Sequence, residues 1–449
     1  MNSVPKNKLN LRLSRKRNFL DVFEISHPTG FSESRGLGSS VQGKQDISNP
    51  SQKVFRRLWI VFFLQGMTPG FWMPALTNIL KAQGLGSWVA LVFIVPPLMA
   101  MISPLIGGAL ADQRMAADRL FAWSSLIGCV ALTAAFGSLH AGWNPWWFVA
   151  LLGCYSLFSG PCWGLLSTIA LTHLPNGEQK FPQVRLGATL GWMAAGVITS
   201  YVLHADTSPV VGYASGIARF TAGIMAFALP HTPPLGRAGS WKSRLGLDAF
   251  KLMKHRDHCV FFIVTAVYSI PLSAFYMYAP EFLKALGDQR STATMTLAQV
   301  TEIAAMLLMG SVLLRFRVKT VLLWSLGLSV VRFGMSAYAG ASGLIGWHIG
   351  GIILHGVCYT FYFVTAQVFL DRRVDPGMRG QAQGLLVLVT SGLGPLLGAL
   401  FCGWLRNYCV TEDGRGWLGF WAILAGMIAL CFLSFARCYQ GLVGRNADA

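Results

Sequence analysis

The sequence predicts an all-α membrane protein with twelve transmembrane helices arranged as two bundles of six. Twelve apolar stretches lie between Val54 and Tyr439, and nearly all have the roughly 20 residues that a helix needs to cross a bilayer. Of the residues, 53% are hydrophobic and only 12% are charged, whereas about 25% are charged in a soluble domain. A polar stretch, 231–258, separates six apolar stretches from the other six. These observations exclude a soluble globule.

The apolar stretches give the predicted helices in order. The first six cover 54–76, 88–111, 119–139, 146–171, 182–204 and 209–229, and the last six cover 259–283, 292–314, 319–339, 344–369, 381–405 and 417–438. The predicted domains are an N-terminal tail at 1–53, a bundle at 54–230, a central loop at 231–258, a bundle at 259–439 and a C-terminal tail at 440–449. Trp123-Ser124 and Trp324-Ser325 occupy equivalent places in the two halves, as parallel internal repeats predict.

Basic residues are concentrated in alternate loops. The chain has 36 Lys and Arg against 18 Asp and Glu, but these basic residues follow no single face or stripe of the kind that binds nucleic acid. One set of loops includes Arg237, Lys242 and Arg244, while the other set holds few basic residues, among them Lys81 and Lys284. By the positive-inside rule, both termini are predicted to be cytoplasmic, and nucleic acid is not expected as a partner.

The N-terminal tail is polar and rich in Ser, with a basic cluster that includes Arg15, Lys16 and Arg17. No apolar run follows until Leu58, so the tail does not have the pattern of a cleavable signal peptide. We expect a disordered cytoplasmic tail, or a start codon placed too early.

The sequence carries no pattern typical of an enzyme. It has no paired catalytic carboxylates, no nucleophile elbow and no Gly-rich phosphate loop. Most of the nine cysteines lie in apolar stretches, without a CxxC pair or metal-ligand spacing. We therefore expect no catalysis, no metal and no cofactor.

Several motifs resemble those of a known transporter family. The run from Gly107 to Arg119 (GGALADQRMAADR) resembles the loop signature of the major facilitator superfamily, with Ala117 where the general pattern has Gly. A closer resemblance, to the nucleoside:proton symporters of that superfamily, the bacterial nucleoside permeases, is carried by the following segments: FPQVRLGATLGW at 181–192, LGLDAF at 245–250, QVTE at 299–302, Arg332-Phe333, AYAG at 337–340 and AQG at 382–384. The resemblance implies the major facilitator fold in a bacterial cytoplasmic membrane, with a small polar solute and a proton as ligands.

Glu302 is the most informative single residue, since it lies near the middle of the eighth predicted helix. An ionised carboxylate at that depth is costly unless it is paired or faces water. In the resembling family, the matching residues at Glu302 and at Gln299, one turn earlier, contribute to the nucleoside site. The alternative is a structural carboxylate paired with Arg332 or Arg185.

Three residues of the fifth predicted helix share one face at i, i+4 and i+7: Arg185, Thr189 and Trp192. Position alone would make Arg185 an ordinary positive flank. The resemblance implies instead that these residues offer a guanidinium, a hydroxyl and a stacking ring to a nucleoside.

Two places depart from the family pattern. Ser273 and Tyr276 stand where the family has amide-bearing contacts, and Tyr359-Thr360 stands where it has an aromatic residue followed by Asp. A carboxylate that would bind ribose hydroxyls is thus replaced by a weaker, neutral partner. Proton coupling is therefore assigned to Glu302, with His355 as the alternative carrier.

The sequence thus predicts a secondary transporter that imports nucleosides with protons by alternating access. Asp112 and Arg119, in the loop that follows the second predicted helix, are predicted to act as a conformational switch. The same fold carrying a sugar or oligosaccharide is the first alternative, and a non-transporting membrane receptor is the second.

Overall fold

The computed structural model describes residues 50–113, 115–174, 177–234, 247–374, 379–411 and 413–441. Most of the predicted tails lies outside these residues, and so does much of the predicted central loop. The side chains of residues 104–113 are also outside the description, so the predicted switch residue Asp112 is not placed.

The described chain is helical, and no strand occurs in those residues. The first half contains α1 (Pro50–Trp72), α2 (Leu76–Ala82), α3 (Val89–Gln113), α4 (Ala117–His140), α5 (Pro145–Ser159), α6 (Cys162–His173), α7 (Gly177–Val197) and α8 (Val210–Ala226). The second half contains α9 (Arg256–Ala285), α10 (Ser291–Met295), α11 (Leu297–Arg315), α12 (Val318–Ser342), α13 (Ile345–Arg373), α14 (Arg379–Val387), α15 (Gly394–Cys409) and α16 (Trp417–Cys438).

Within the described ranges, nine helical segments are long and apolar enough to cross a membrane. The predicted all-α membrane fold is thereby supported, while the number of twelve crossings stays a prediction. α8 is apolar but shorter, and α7 carries Lys180 and Arg185 among its residues. Thus α7, which resembles an ordinary membrane span less than most of the other helices, is the helix that carries three predicted site residues.

Five predicted helices are interrupted. The stretch 182–204 passes from α7 into a π-helical turn, Ile198–Val202, and the stretch 292–314 divides into α10 and α11 at Thr296. The stretch 146–171 divides into α5 and α6 at Gly160-Pro161, because proline has no N–H to continue the helical hydrogen bonding. Within the predicted helix 54–76, α1 ends at Trp72, just before Pro74, and the short helix α2 follows. Within the predicted helix 381–405, the π-helical turn Leu388–Leu393 separates α14 from α15.

In the first half, α1 packs along α7. Gly191 of α7 makes this approach possible, because a Cβ there would lie 1.9 Å from the carbonyl oxygen of Phe63. The contact therefore depends on a residue without a side chain, and it fixes α7 against its neighbour.

The two halves are joined by polar contacts at one end, which we call the distal end (residues 73–88, 200–209, 277–297 and 403–416). Thr77 Oγ1 donates to the carbonyl oxygen of Met277 at 2.5 Å. Asn78 Nδ2 donates to the carbonyl oxygen of Pro280 and to Ser291 Oγ, at 3.1 Å each.

Two carboxylates extend this distal contact. Glu281 Oε1 accepts from Lys81 Nζ of the first half and from Arg406 Nη2 of the second, each at 2.7 Å. Asp206 of the first half accepts from the backbone N–H of Thr292 at 2.8 Å and from Ser200 Oγ at 3.0 Å. Hydrogen bonds and ion pairs thus join the two halves at the distal end.

The opposite end is called the terminal end because Pro50 and Gly441 lie there. Two polar contacts among its described residues each join residues of the same half. Asp118 Oδ1 accepts from the backbone N–H of Thr232 at 2.9 Å. Asp257 Oδ1 accepts from the backbone N–H of Gln440 at 2.9 Å.

The predicted switch residue Arg119 also lies at the terminal end. Its Nε is 3.5 Å from Asp118 Oδ2, and its guanidinium lies over the ring of Phe227 at 5.2 Å. All three residues belong to the first half.

Candidate solute-binding site

The first half contributes to the site through α7. Arg185 is exposed, and Thr189 and Trp192 are half-buried. The ring of Trp192 meets that of Tyr276 edge to face, with centroids 6.0 Å apart. This aromatic contact joins the two halves in the middle of the protein.

The carboxylate of Glu302 lies on α11, within electrostatic range of the guanidinium of Arg185 and the hydroxyls of Tyr276 and Tyr359. No hydrogen-bond or ion-pair partner contacts this carboxylate in the described part of the chain. Arg332, one of its two suggested structural partners, contacts His355 instead. Glu302 is therefore a half-buried acid that faces a cation without being neutralised by a direct pair.

Close packing of α11 against α13 positions Glu302. A Cβ at Gly356 of α13 would lie 2.1 Å from the carbonyl oxygen of Ala298 and 2.3 Å from the backbone nitrogen of Glu302. Thr301 Oγ1 also donates to the carbonyl oxygen of Ile353 across this contact. The backbone beside Glu302 is thus held directly against α13, which carries Tyr359.

The structure brings five predicted residues together: Arg185, Trp192, Tyr276, Glu302 and Tyr359. Tyr359 is 39% exposed although it lies in the middle of α13, so its ring borders open space. A guanidinium, a carboxylate and three aromatic rings therefore surround one region between the halves.

Three other predicted residues lie in packed surroundings. Ser273 Oγ donates to the carbonyl oxygen of Ser269 at 3.3 Å. Ser273 also packs closely on Gly398, since a Cβ added at Gly398 would lie 2.2 Å from Ser273 Oγ. Gln299 is buried, with its amide nitrogen 3.2 Å from the carbonyl oxygen of Thr296 in the orientation that satisfies the amide. Thr360 is 1% exposed, and its hydroxyl has no hydrogen-bond partner in the described residues.

His355 belongs to the same cluster, although the sequence singled it out only as an alternative proton carrier. Its ring stacks on Phe275, with centroids 3.7 Å apart and planes 7° apart. It also lies 6.0 Å from Tyr276 and 5.8 Å from Tyr359. Its position one turn from Tyr359 was the sequence signal that could have placed it in the site.

The helical membrane fold, with a polar and aromatic cluster between its two halves, is the major facilitator fold. The predicted fold class is confirmed by the crystal structure of the nucleoside transporter NupG. That structure matches with a TM-score of 0.76 and 23% identity, and the match covers 86% of this chain and 99% of that one.

The sequence model of the nucleoside H+ symporter family matches residues 52–441, so the chain belongs to that family. The chain is 31% identical over 409 residues to the candidate nucleoside transporter YegT of Escherichia coli (strain K12), covering 86% of this chain and 94% of YegT. It is 26% identical over 391 residues to the xanthosine permease of the same organism, covering 82% of this chain and 92% of that permease. The predicted family is confirmed, and the chain is a membrane transporter rather than an enzyme.

Proposed function

We propose that this protein imports nucleosides together with protons by alternating access. The observation that carries the proposal is the cluster between the halves, where Arg185 and Trp192 face Tyr276, Glu302 and Tyr359. A solute bound there contacts both halves, so binding can be coupled to their relative movement. The family membership and the nucleoside-transporting relatives support the same substrate class.

Each group has a distinct part in binding. The rings of Trp192, Tyr276 and Tyr359 offer flat apolar surfaces on which a nucleobase stacks. Arg185 donates hydrogen bonds to acceptors of the solute. Glu302 accepts them from ribose hydroxyls, through both oxygens when it is ionised and through its carbonyl oxygen when it is protonated, so proton and solute can be bound together. Since Thr360 is buried and neutral, Glu302 supplies the carboxylate of this site.

Glu302 also carries the proton in this proposal. An ionised carboxylate inside the membrane is costly, and Glu302 has no direct counter-ion among the described residues. In the loaded carrier, protonation removes the charge before the halves move, and the proton and the solute leave on the other side. In the empty carrier, Arg185 compensates the ionised Glu302 during the return, so a proton crosses only together with solute. The solute gradient is thereby linked to the proton gradient.

We assign the distal end to the outside and the terminal end to the cytoplasm, from the distribution of Lys and Arg. The described conformation then has its outer end closed. A reporter fused after Ala449 is expected to stay cytoplasmic, and one inserted at Gly414 is expected to be external. An external signal from the C-terminal fusion would reverse the assignment.

Asp112 and Arg119 stay proposed as a switch at the cytoplasmic end. The contacts of Arg119 with Asp118 and Phe227 supply a local anchor for that loop. Asp112→Asn is expected to slow turnover more than it weakens solute binding. An unchanged transport rate would mean that the charges of this loop set the membrane topology and do not act as a switch.

The deciding experiment is uptake of labelled uridine, adenosine and xanthosine, with glucose, xylose and maltose as a sugar panel. Cells that express the chain are compared with empty-vector cells, with and without a protonophore. We expect nucleoside uptake that the protonophore abolishes. Sugar uptake alone would favour the first alternative, and no uptake of any solute would favour a receptor.

A further inference from the structure

A small cavity lies inside the second half, between α9, α12, α13 and α16. Its volume is about 10 Å³, and its wall combines polar and apolar side chains, among them Phe275, Arg332, Phe333, Ser336, His348 and Trp421. A cavity that holds a water molecule measures at least about 10–15 Å³, so this one has room for a single water and for nothing larger. Internal cavities that stay dry are lined by apolar groups, whereas this wall is partly polar.

Two hydrogen-bond donors of the cavity wall have no partner in the described part of the chain. They are Nε of Arg332 and Nε1 of Trp421, and both side chains are buried. The guanidinium of Arg332 lies over two rings of the same wall, 4.4 Å from the centre of Phe333 and 5.1 Å from that of Phe275. A buried donor without an acceptor is costly, above all on a charged group. Both donors therefore need an acceptor at this place.

Ser336 supplies the matching acceptor. His348 Nε2 lies 3.3 Å from the carbonyl oxygen of Ala279, which can only accept, so Nε2 carries a hydrogen. His348 is buried and contacts no carboxylate in the described residues, so its ring is neutral and its Nδ1 has a lone pair. Ser336 Oγ lies 2.9 Å from His348 Nδ1 and 3.3 Å from the carbonyl oxygen of Arg332, and it donates its one hydrogen to the nearer atom, Nδ1. The lone pairs of Ser336 Oγ are then left for a donor in the cavity.

We propose that this cavity is the binding site of one internal water molecule, which accepts hydrogen bonds from Arg332 Nε and Trp421 Nε1 and donates one to Ser336 Oγ. Three hydrogen bonds are typical of a buried water. Two donors and one acceptor suit a molecule that both accepts and donates, whereas a halide ion would face the lone pairs of Ser336. The water solvates a buried guanidinium that has no carboxylate partner in the described residues.

The water joins four helices of the second half. Arg332 and Ser336 belong to α12, and Trp421 belongs to α16. Ser336 extends the hydrogen bonding to His348 of α13, and His348 extends it to the carbonyl oxygen of Ala279 in α9. The water thus completes a polar contact inside the second half, and its binding does not depend on which solute the protein carries.

A crystal structure of the full chain, at a resolution that shows ordered water, tests the site directly. We expect one density peak in the cavity, within about 2.7–3.2 Å of Arg332 Nε, Trp421 Nε1 and Ser336 Oγ. A cavity without density, in a map that shows water elsewhere inside the protein, would overturn the proposal. An anomalous peak at this place in crystals soaked in bromide would also overturn it, because the occupant would then be a halide ion.

NMR of the purified full chain labelled with ¹⁵N-tryptophan tests the same site in solution. The indole N–H signal of Trp421 is assigned by its absence in Trp421→Phe, and in the wild type we expect this signal to show a cross-peak to water. Its absence there would overturn the proposal.

Ser336→Val removes the acceptor and fills part of the cavity, so the cross-peak of Trp421 should be lost. The matched control is Ser342→Val, the same change at an exposed position of α12, which should keep the cross-peak. A cross-peak that persists in folded Ser336→Val would place the water elsewhere and overturn the assignment. If Ser336→Val does not fold, the crystal structure and the spectrum of the wild type still decide.

Discussion

The polar contacts described at the two ends of the protein join different partners. At the distal end, Lys81 and Asp206 of the first half bond to Glu281 and to the backbone of Thr292 in the second. At the terminal end, Asp118 bonds within the first half, to the backbone N–H of Thr232. One set holds the halves together and the other stabilises each half by itself. Contacts of the first kind must break when a transporter opens at that end, and contacts of the second kind can persist through the cycle.

The largest expected effect comes from making the distal contact permanent. The side chains of Asn78 and Ser291 contact each other across the two halves, so a disulfide between Asn78→Cys and Ser291→Cys should hold the distal end closed. We expect oxidation to abolish nucleoside uptake and a reductant to restore it. The matched control is His173→Cys with Thr232→Cys, whose side chains contact each other within the first half.

Each single cysteine variant controls for the native thiols. Full uptake by the oxidised distal pair, with the cross-link verified, would mean that this end does not open during transport.

A smaller effect is expected from Glu281→Gln, which removes the charge that both Lys81 and Arg406 contact at 2.7 Å. Arg406 and Glu281 are mostly buried, while Lys81 is partly exposed, so we expect the closed distal end to lose about 1–2 kcal/mol. The measurement is the rate at which a membrane-impermeant maleimide labels Thr292→Cys, and we expect this rate to rise about tenfold.

The control for Glu281→Gln is Asp288→Asn, another acid-to-amide change at the distal end. Asp288 bonds within its own loop, to Thr294 Oγ1 at 2.6 Å, so labelling should stay at the wild-type rate. Equal acceleration by both variants would show a nonspecific loosening of the loops.

Asp118→Asn is expected to have the smallest effect on how accessible the distal end is to the label. The substitution weakens the bond to Thr232, so thermal unfolding should show a loss of about 1 kcal/mol in stability. Because this bond lies within one half, labelling of Thr292→Cys at the distal end should not change. A changed labelling rate would mean that the two ends are coupled through the first half.

The sequence predicts the helical fold well because a bilayer imposes length and apolarity on each span. The break between α5 and α6 could have been placed at Pro161, and the π-helical turn Leu388–Leu393 could have been placed from Pro395, which has no N–H to continue the helical hydrogen bonding. The π-helical turn Ile198–Val202 has no proline beside it, so no residue of that segment marks its place.

The candidate site was predictable only in part. Helical spacing places Arg185 and Trp192 on one face, and the depth of Glu302 marks it as unusual. The packing of Ser273 against Gly398 and the contact of Arg332 with His355 join helices far apart in the chain. No spacing rule reports such contacts, so they required the three-dimensional structure.

The most direct test of the central claim uses proteoliposomes with an imposed pH gradient, alkaline inside. The wild type should accumulate labelled nucleoside above its external concentration, and Glu302→Gln should lose this accumulation while retaining counterflow exchange. That result would identify Glu302 as the group that couples solute to proton. Accumulation driven by the pH gradient at the wild-type level in Glu302→Gln would contradict the account.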